Sequence, residues 1–220
     1  MKIGRRPLGL VLASASVVLL AACSSSDAEP APAAFTARPV LAADAENPMI
    51  AEGVTIAKDA YFYKSSGLGP EALNDAAPEG SPESFIDTDA FADGALTGGV
   101  TITEAQGLNA LARIKANLEQ QGLSLADVVS MRVFLDNAPG TDRADYAGWN
   151  RAYRQYFANT NLKTGDTELV PLGTGAPAAP LERNPARPSR FALEVASLPV
   201  PGWLVEIEVD AVYPADKEPE

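Results

Sequence analysis

Histidine is absent from all 220 residues, and cysteine occurs once, at Cys23. The first absence removes the commonest general base and the commonest metal ligand. The second removes disulfides and, with Cys23 at the end of a leader-like segment, thiol catalysis and thiolate metal sites. Basic residues are also scarce: 17 Lys and Arg face 29 Asp and Glu, a formal net charge of −12. Such a surface repels phosphate backbones, so nucleic acid is not an expected partner. Nor is charge-driven adhesion to anionic lipid. Any chemistry must come from carboxylates, Arg, Lys, Tyr, backbone groups and water, with no metal or cofactor expected.

Long hydrophobic runs are missing too. The longest, LGLVLASASVVLLAA, is about fifteen residues, short of a bilayer span. It follows the cationic MKIGRR and ends in LAAC. Charge, length and small residues before a Cys have the form of a bacterial lipoprotein leader. In that reading residues 1–22 are removed and Cys23 carries the lipid anchor. Ser24 after it, by analogy with envelope sorting, favours the outer membrane, facing the periplasm. Loss of Lys2, Arg5 and Arg6 would leave the rest more acidic. Residues 23–48 (SSSDAEPAPAAFTARPVLAADAENP after the Cys) are rich in Ala, Pro, Ser and acids without apolar period, and read as a flexible tether. A single folded domain is expected over 49–214, with a short tail at 215–220.

GVTIAKDAYFYKSS reads as two strands with a turn at Lys58-Asp59. Residues 68–100 are dense in Gly, Pro, Asp and Ser and read as a long loop; residues 158–187 form a second. Between them TEAQ suggests a capping box with Thr103 as N-cap and Gln106 reaching back. Leu108, Leu111, Ile114 and Leu118 make a helical stripe ending at Gly122. SMRVFLDN alternates as a strand, with Met131, Val133 and Leu135 on one side. From Asp145 to about Ala158, Tyr146, Trp149, Tyr153, Tyr156 and Phe157 recur at helical spacing, as core packing requires. Two strands close the chain, near 191–197 and 204–212. In the last, Trp203, Val205, Ile207, Val209 and Ala211 alternate with Leu204, Glu206, Glu208 and Asp210. This order predicts an α+β domain with two helices packed on one sheet face. The acidic strand face is either solvent-exposed or part of an interface or site.

Several stretches together are specific: a helix ending GLSLADVV, a strand ending FL, N-x-x-Y-x-x-YF, and R-x-x-x-E-V-A-x-L-P before VEIE. They resemble the Rid family, the YjgF/YER057c/UK114 group, over most of Thr103–Pro214; GVTIAKDAYFYKSSGLGP resembles its first hairpin and Ser-Gly turn. The resemblance implies a chorismate-mutase-like α+β fold, a homotrimer with clefts between subunits, and enamine/imine deaminase activity. Such enzymes hydrolyse 2-iminoacids to 2-ketoacids and ammonia. Matched to the family pattern, Arg190 stands four residues before Glu194 of EVA and would hold the substrate carboxylate; nearby Arg187 is out of register. Glu206, the first acid of EIE, would position water. Asn150, Ser66, Gly67 and the strand N–H near Ala192 would complete substrate binding, and the ligand would be a small carboxylate-bearing imine or ketoacid. Arg offers a planar two-pronged donor for a carboxylate, and one carboxylate can orient water and shuttle protons. Ile50 stands where the family commonly has Tyr. Phe191 and Ala192 replace the usual Ser and Cys, leaving Phe191 as the residue able to reshape the pocket. The alternative is a non-catalytic ligand binder or trimeric scaffold.

Overall fold

The computed structural model describes residues 36–217 and 219. The leader, Cys23 and the first part of the expected tether lie outside the described residues. Among those described, no helix is long and apolar enough to cross a membrane.

Eight regular elements follow in order: β1 (Ala37–Val40), β2 (Gly53–Ile56), β3 (Phe62–Lys64), α1 (Ile102–Glu119), β4 (Val128–Leu135), α2 (Tyr146–Tyr156), β5 (Ser189–Glu194) and β6 (Val205–Val212). Four strands form the main sheet in the order β3-β6-β4-β5. Its pairs are antiparallel except β4–β5, which are parallel and joined through α2. The two expected N-terminal strands do not form a hairpin with each other. Instead β2 pairs with β1, inside the stretch read as tether, and β3 pairs with β6. A four-residue strand such as ARPV carries too little apolar pattern to stand out from an Ala- and Pro-rich background.

Both helices pack on one sheet face, as expected. Leu111, Ile114 and Leu118 from α1, Trp149 and Tyr153 from α2 and Phe157 just after it are fully buried with Met131, Val133, Leu135, Val205, Ile207 and Val209. Gly107 lets the helices meet closely, since a Cβ there would stand 2.9 Å from the Ala152 methyl. The start of α1 differs from the capping-box reading. Thr101, not Thr103, is the N-cap, its hydroxyl accepting from the Glu104 N–H at 3.1 Å. Gln106 is buried and serves tertiary structure. Its amide donates to the Pro82 and Gly202 carbonyls and accepts from the Leu204 N–H. At the other end, Gly122 takes a left-handed φ of 70° and the next N–H, of Leu123, bonds back to Leu118.

The two long segments are tied to the helices and to each other. Asn109 of α1 holds the first through the Glu71 and Phe85 carbonyls. Asn159 ties the second together through the Arg154 and Glu182 carbonyls. They meet where the Thr174 N–H donates to the Gly98 carbonyl, at 2.8 Å. Beneath that junction the fully buried Glu104 accepts two hydrogen bonds from Arg151 and one from the Gly173 N–H.

Candidate functional site

β5 is the sheet edge, and its register decides where the site residues point. Arg190 lies opposite Met131 and Ala192 opposite Val133, so both face the helices. Arg190 thereby meets α2. Its Nη2 donates to Asn150 Oδ1 at 2.7 Å, and its guanidinium carbon stands 4.3 Å from the centroid of the Tyr153 ring and 6.0 Å from that of Trp149. Nε and Nη1 are buried and have no acceptor among the described residues. Burial pulls the Arg190 pKa below its ordinary value, while Tyr153 works the other way. Burial also pushes the Tyr153 phenol up to about 12, against the pull of Arg190, Arg187 and Arg154. Tyr153 therefore stays a neutral donor, and its hydroxyl holds the Met49 carbonyl at 2.8 Å. A guanidinium with two buried N–H-bearing nitrogens unbonded is costly unless an acceptor arrives from outside the chain.

The backbone beside it is open as well. The Val195 N–H bonds to Leu135 on β4. Successive residues of a strand alternate their hydrogen-bonding edge, so the Ala192 N–H points to the free edge. An anion reaching that edge finds side-chain and main-chain donors together.

Glu206 belongs to a second group. It lies opposite Phe134, on the sheet face away from the helices. Leu68 and Ile207 exchange backbone hydrogen bonds of 2.8 and 3.0 Å, which brings Gly67 against the Glu206 carboxylate. A Cβ on residue 67 would run into Glu206 Oε1. Ser66 is exposed beside them, its carbonyl accepting from Ser65 Oγ.

The expected residues thus assemble as two clusters, Arg190–Asn150–Ala192 and Glu206–Ser66–Gly67, on opposite faces of the sheet. Arg190 and Glu206 are not on neighbouring strands, because β4 lies between β5 and β6. Phe191 lies on the other sheet face from its neighbour Arg190. It pairs with Arg132, points to the open face, and is 46% exposed. It does not lie over the Arg190 guanidinium of its own chain. Arg187, out of register, is a structural residue: it is buried and bonded to the Pro48, Pro185 and Thr160 carbonyls and to Asn47 Oδ1.

Residue patterns alone missed Tyr153 as a site residue, although N-x-x-Y contains it one turn after Asn150. They also missed the charge lattice on the open face. There Arg132 bridges Glu208, at 2.6 Å, and Asp210, at 2.8 Å, and Lys64 joins both acids. Glu208 and Asp210 are committed to that lattice, whereas Glu206 of the same strand has no hydrogen-bond partner among the described residues. Among the described residues no group of His, Cys, Asp and Glu could hold a metal ion.

Residues 90–213 match the family model described as Endoribonuclease L-PSP. The chain belongs to this family, the group also known as Rid or YjgF/YER057c/UK114. No curated protein matches significantly. Solved structures similar to it include a Rid-family protein of unknown function from Yersinia pestis (20% identity, TM-score 0.44, 81% of this chain and 100% of that one). A YjgF/YER057c/UK114 member from Mycobacterium tuberculosis is 22% identical, with TM-score 0.38, over 80% of this chain and 99% of that one. A putative endoribonuclease from Thermotoga maritima is 25% identical, with TM-score 0.38, over 80% and 97%.

Proposed function

We propose that this protein hydrolyses 2-iminoacids to 2-ketoacids and ammonia, in a cleft completed between two copies of the chain. The observation that carries this reading is Arg190: a half-buried side chain stacked on Tyr153 and oriented by Asn150, whose Nε and Nη1 are buried and unbonded among the described residues. A substrate carboxylate supplies the missing acceptors in bidentate form, and the Ala192 N–H adds a donor. Glu206 orients a water onto the imine carbon and passes its first proton to the imine nitrogen; the hydroxyl of the resulting carbinolamine then gives its second proton, again through Glu206, to that nitrogen as the C–N bond breaks, leaving the 2-ketoacid and ammonia. The imine is itself reactive, so one anchor and one carboxylate suffice. The location of Arg190 and Glu206 on opposite faces of one sheet supports a cleft that pairs Arg190 of one copy with Glu206 of the next, as in a homotrimer.

That Glu206 has no hydrogen-bond partner among the described residues favours a second reading, a ligand binder without turnover. RNA cleavage, despite the family's description, is disfavoured by the charge of −12 and the lack of His. In our reading the protein is a lipoprotein anchored through Cys23 in the bacterial envelope, facing the periplasm.

An amino-acid oxidase that produces 2-iminobutyrate, with semicarbazide as trap, tests the activity. The full chain should compete with the trap. Arg190→Ala and Glu206→Gln should each lose that competition, and the second should still bind 2-oxobutyrate. Deaminase activity is ruled out if wild type and Arg190→Ala behave alike across several imines. Turnover absent, with Arg190-dependent 2-oxobutyrate binding, selects the binder.

A further inference from the structure

Arg154 on α2 is half-buried, and its side chain makes no hydrogen bond or ion pair among the described residues; its Nε is buried and unbonded. Like charge stands near it. Burial pulls the Arg187 pKa below its ordinary value, Tyr153 opposes that pull, and Arg154 adds to it. Glu168, the acid next to Leu169, is committed elsewhere: its Oε1 accepts from the Asn47 amide at 3.3 Å and from the Asn161 amide at 2.9 Å.

Arg154 lines a cavity of about 310 Å³ together with Met49, Asn150, Arg151 and Leu169–Pro171. Two kinds of surface meet around that one space. The side supplied by α2 is cationic. No acid lines the cavity, and Arg151 is already paired with Glu104, so Arg154 leaves it with uncompensated positive charge. Asn150 turns its Oδ1 to Arg190, and its Nδ2 has no acceptor among the described residues. The other side is apolar. Val170 is buried, but Leu169 is 60% exposed and Met49 40%, two large apolar side chains left in water beside the cavity. This wall is fixed in place by the chain itself. Val170 and Ala178 exchange backbone hydrogen bonds of 2.8 and 3.0 Å, and the Gln155 amide of α2 donates to the Pro171 carbonyl at 3.1 Å. A ligand entering a preformed space need not order it first.

An unpaired cation facing exposed apolar side chains fits one chemistry. A small inorganic anion would leave the apolar wall in water, and a neutral or cationic amphiphile would leave Arg154 uncompensated. We infer that this cavity is a binding site for an aliphatic carboxylate, its head on Arg154 and the Asn150 amide, its chain against Met49 and Leu169–Pro171. The site adjoins the Arg190 cluster through Asn150 but does not depend on the reading of Arg190.

Calorimetric titration of the full chain with octanoate, acetate and octylammonium tests it. Octanoate should bind at least about tenfold more tightly than either of the others, because it alone matches both walls. Arg154→Met should weaken octanoate binding about tenfold. Leu169→Glu, at an exposed position, should weaken it as much by bringing a like charge to the carboxylate. Arg190→Ala should keep it. The inference is overturned if acetate or octylammonium binds as well as octanoate, if octanoate affinity survives Arg154→Met, or if it is lost only in Arg190→Ala. Should Arg154→Met fail to fold, Leu169→Glu decides: weaker octanoate binding supports the site, and unchanged binding overturns it. Failure of octanoate to bind wild type also overturns it and leaves the deaminase reading untouched.

Discussion

The Arg190 guanidinium lies 4.3 Å from the Tyr153 ring centroid, and its one hydrogen bond among the described residues goes to Asn150. Arg187, three residues earlier, donates to four oxygens of the chain. One arginine is spent on structure, the other held in readiness.

That contrast predicts opposite outcomes for two similar substitutions. Arg187→Ala should cost about 3 kcal/mol, because four acceptors, three of them on buried or half-buried residues, lose their donor. Arg190→Met should leave stability unchanged or raise it, since an unpaired buried charge is replaced by a thioether. Urea unfolding measures both, and 2-oxobutyrate binding should vanish in Arg190→Met.

Gly67→Ala should damage activity and spare the fold. The new methyl competes for space with Glu206 Oε1 and must swing the carboxylate away. The position is exposed, so the urea midpoint should move little. We expect turnover to fall by at least about tenfold, the effect expected of a misplaced general base, while ketoacid affinity is kept. Steady-state kinetics and calorimetry separate the two.

Glu104→Ala should be the most destabilising of the changes considered. It removes the ion-pair partner that Arg151 has among the described residues and the acceptor of the Gly173 N–H. Breaking one side of a buried pair costs about 3–5 kcal/mol. The junction of the two long segments should loosen with it, which hydrogen exchange at Gly173 and Thr174 would register.

Glu208 makes the acid limb of stability testable. Hydrogen bonds from Arg132 and then Lys64 hold its carboxyl below the ordinary carboxylate range. Its folded pKa is depressed, so the unfolded chain takes up the proton first and stability rises with pH. The contribution is complete above the unfolded value, about 4.3. It is lost as pH falls through the folded one. Urea midpoints should drop more steeply below about pH 4 in wild type than in Glu208→Gln.

Helical elements were legible because their signals are local. The stripe from Leu108 to Leu118 and the aromatic stripe of α2 appear as buried faces where the periodicity put them. The N-cap of α1 was displaced by two residues because Thr101 and Thr103 are chemically alike, and the choice rests on where the preceding loop turns. β1 and the partner of β2 were illegible, since pairing of short strands is a long-range choice that local pattern does not carry.

The site divides along the same line. Sequence by itself determined which residues are candidates: spacing to EVA singled out Arg190 over Arg187, and alternation separated Glu206 from Val205 and Ile207. It also determined the acidic charge and the lack of His and usable thiol that restrict the chemistry. Only the tertiary structure decided which sheet face each residue occupies, because a side chain's face depends on the register between strands. Inserting β4 between β5 and β6 and pairing Met131 with Arg190 and Phe134 with Glu206 sent anchor and acid to opposite faces.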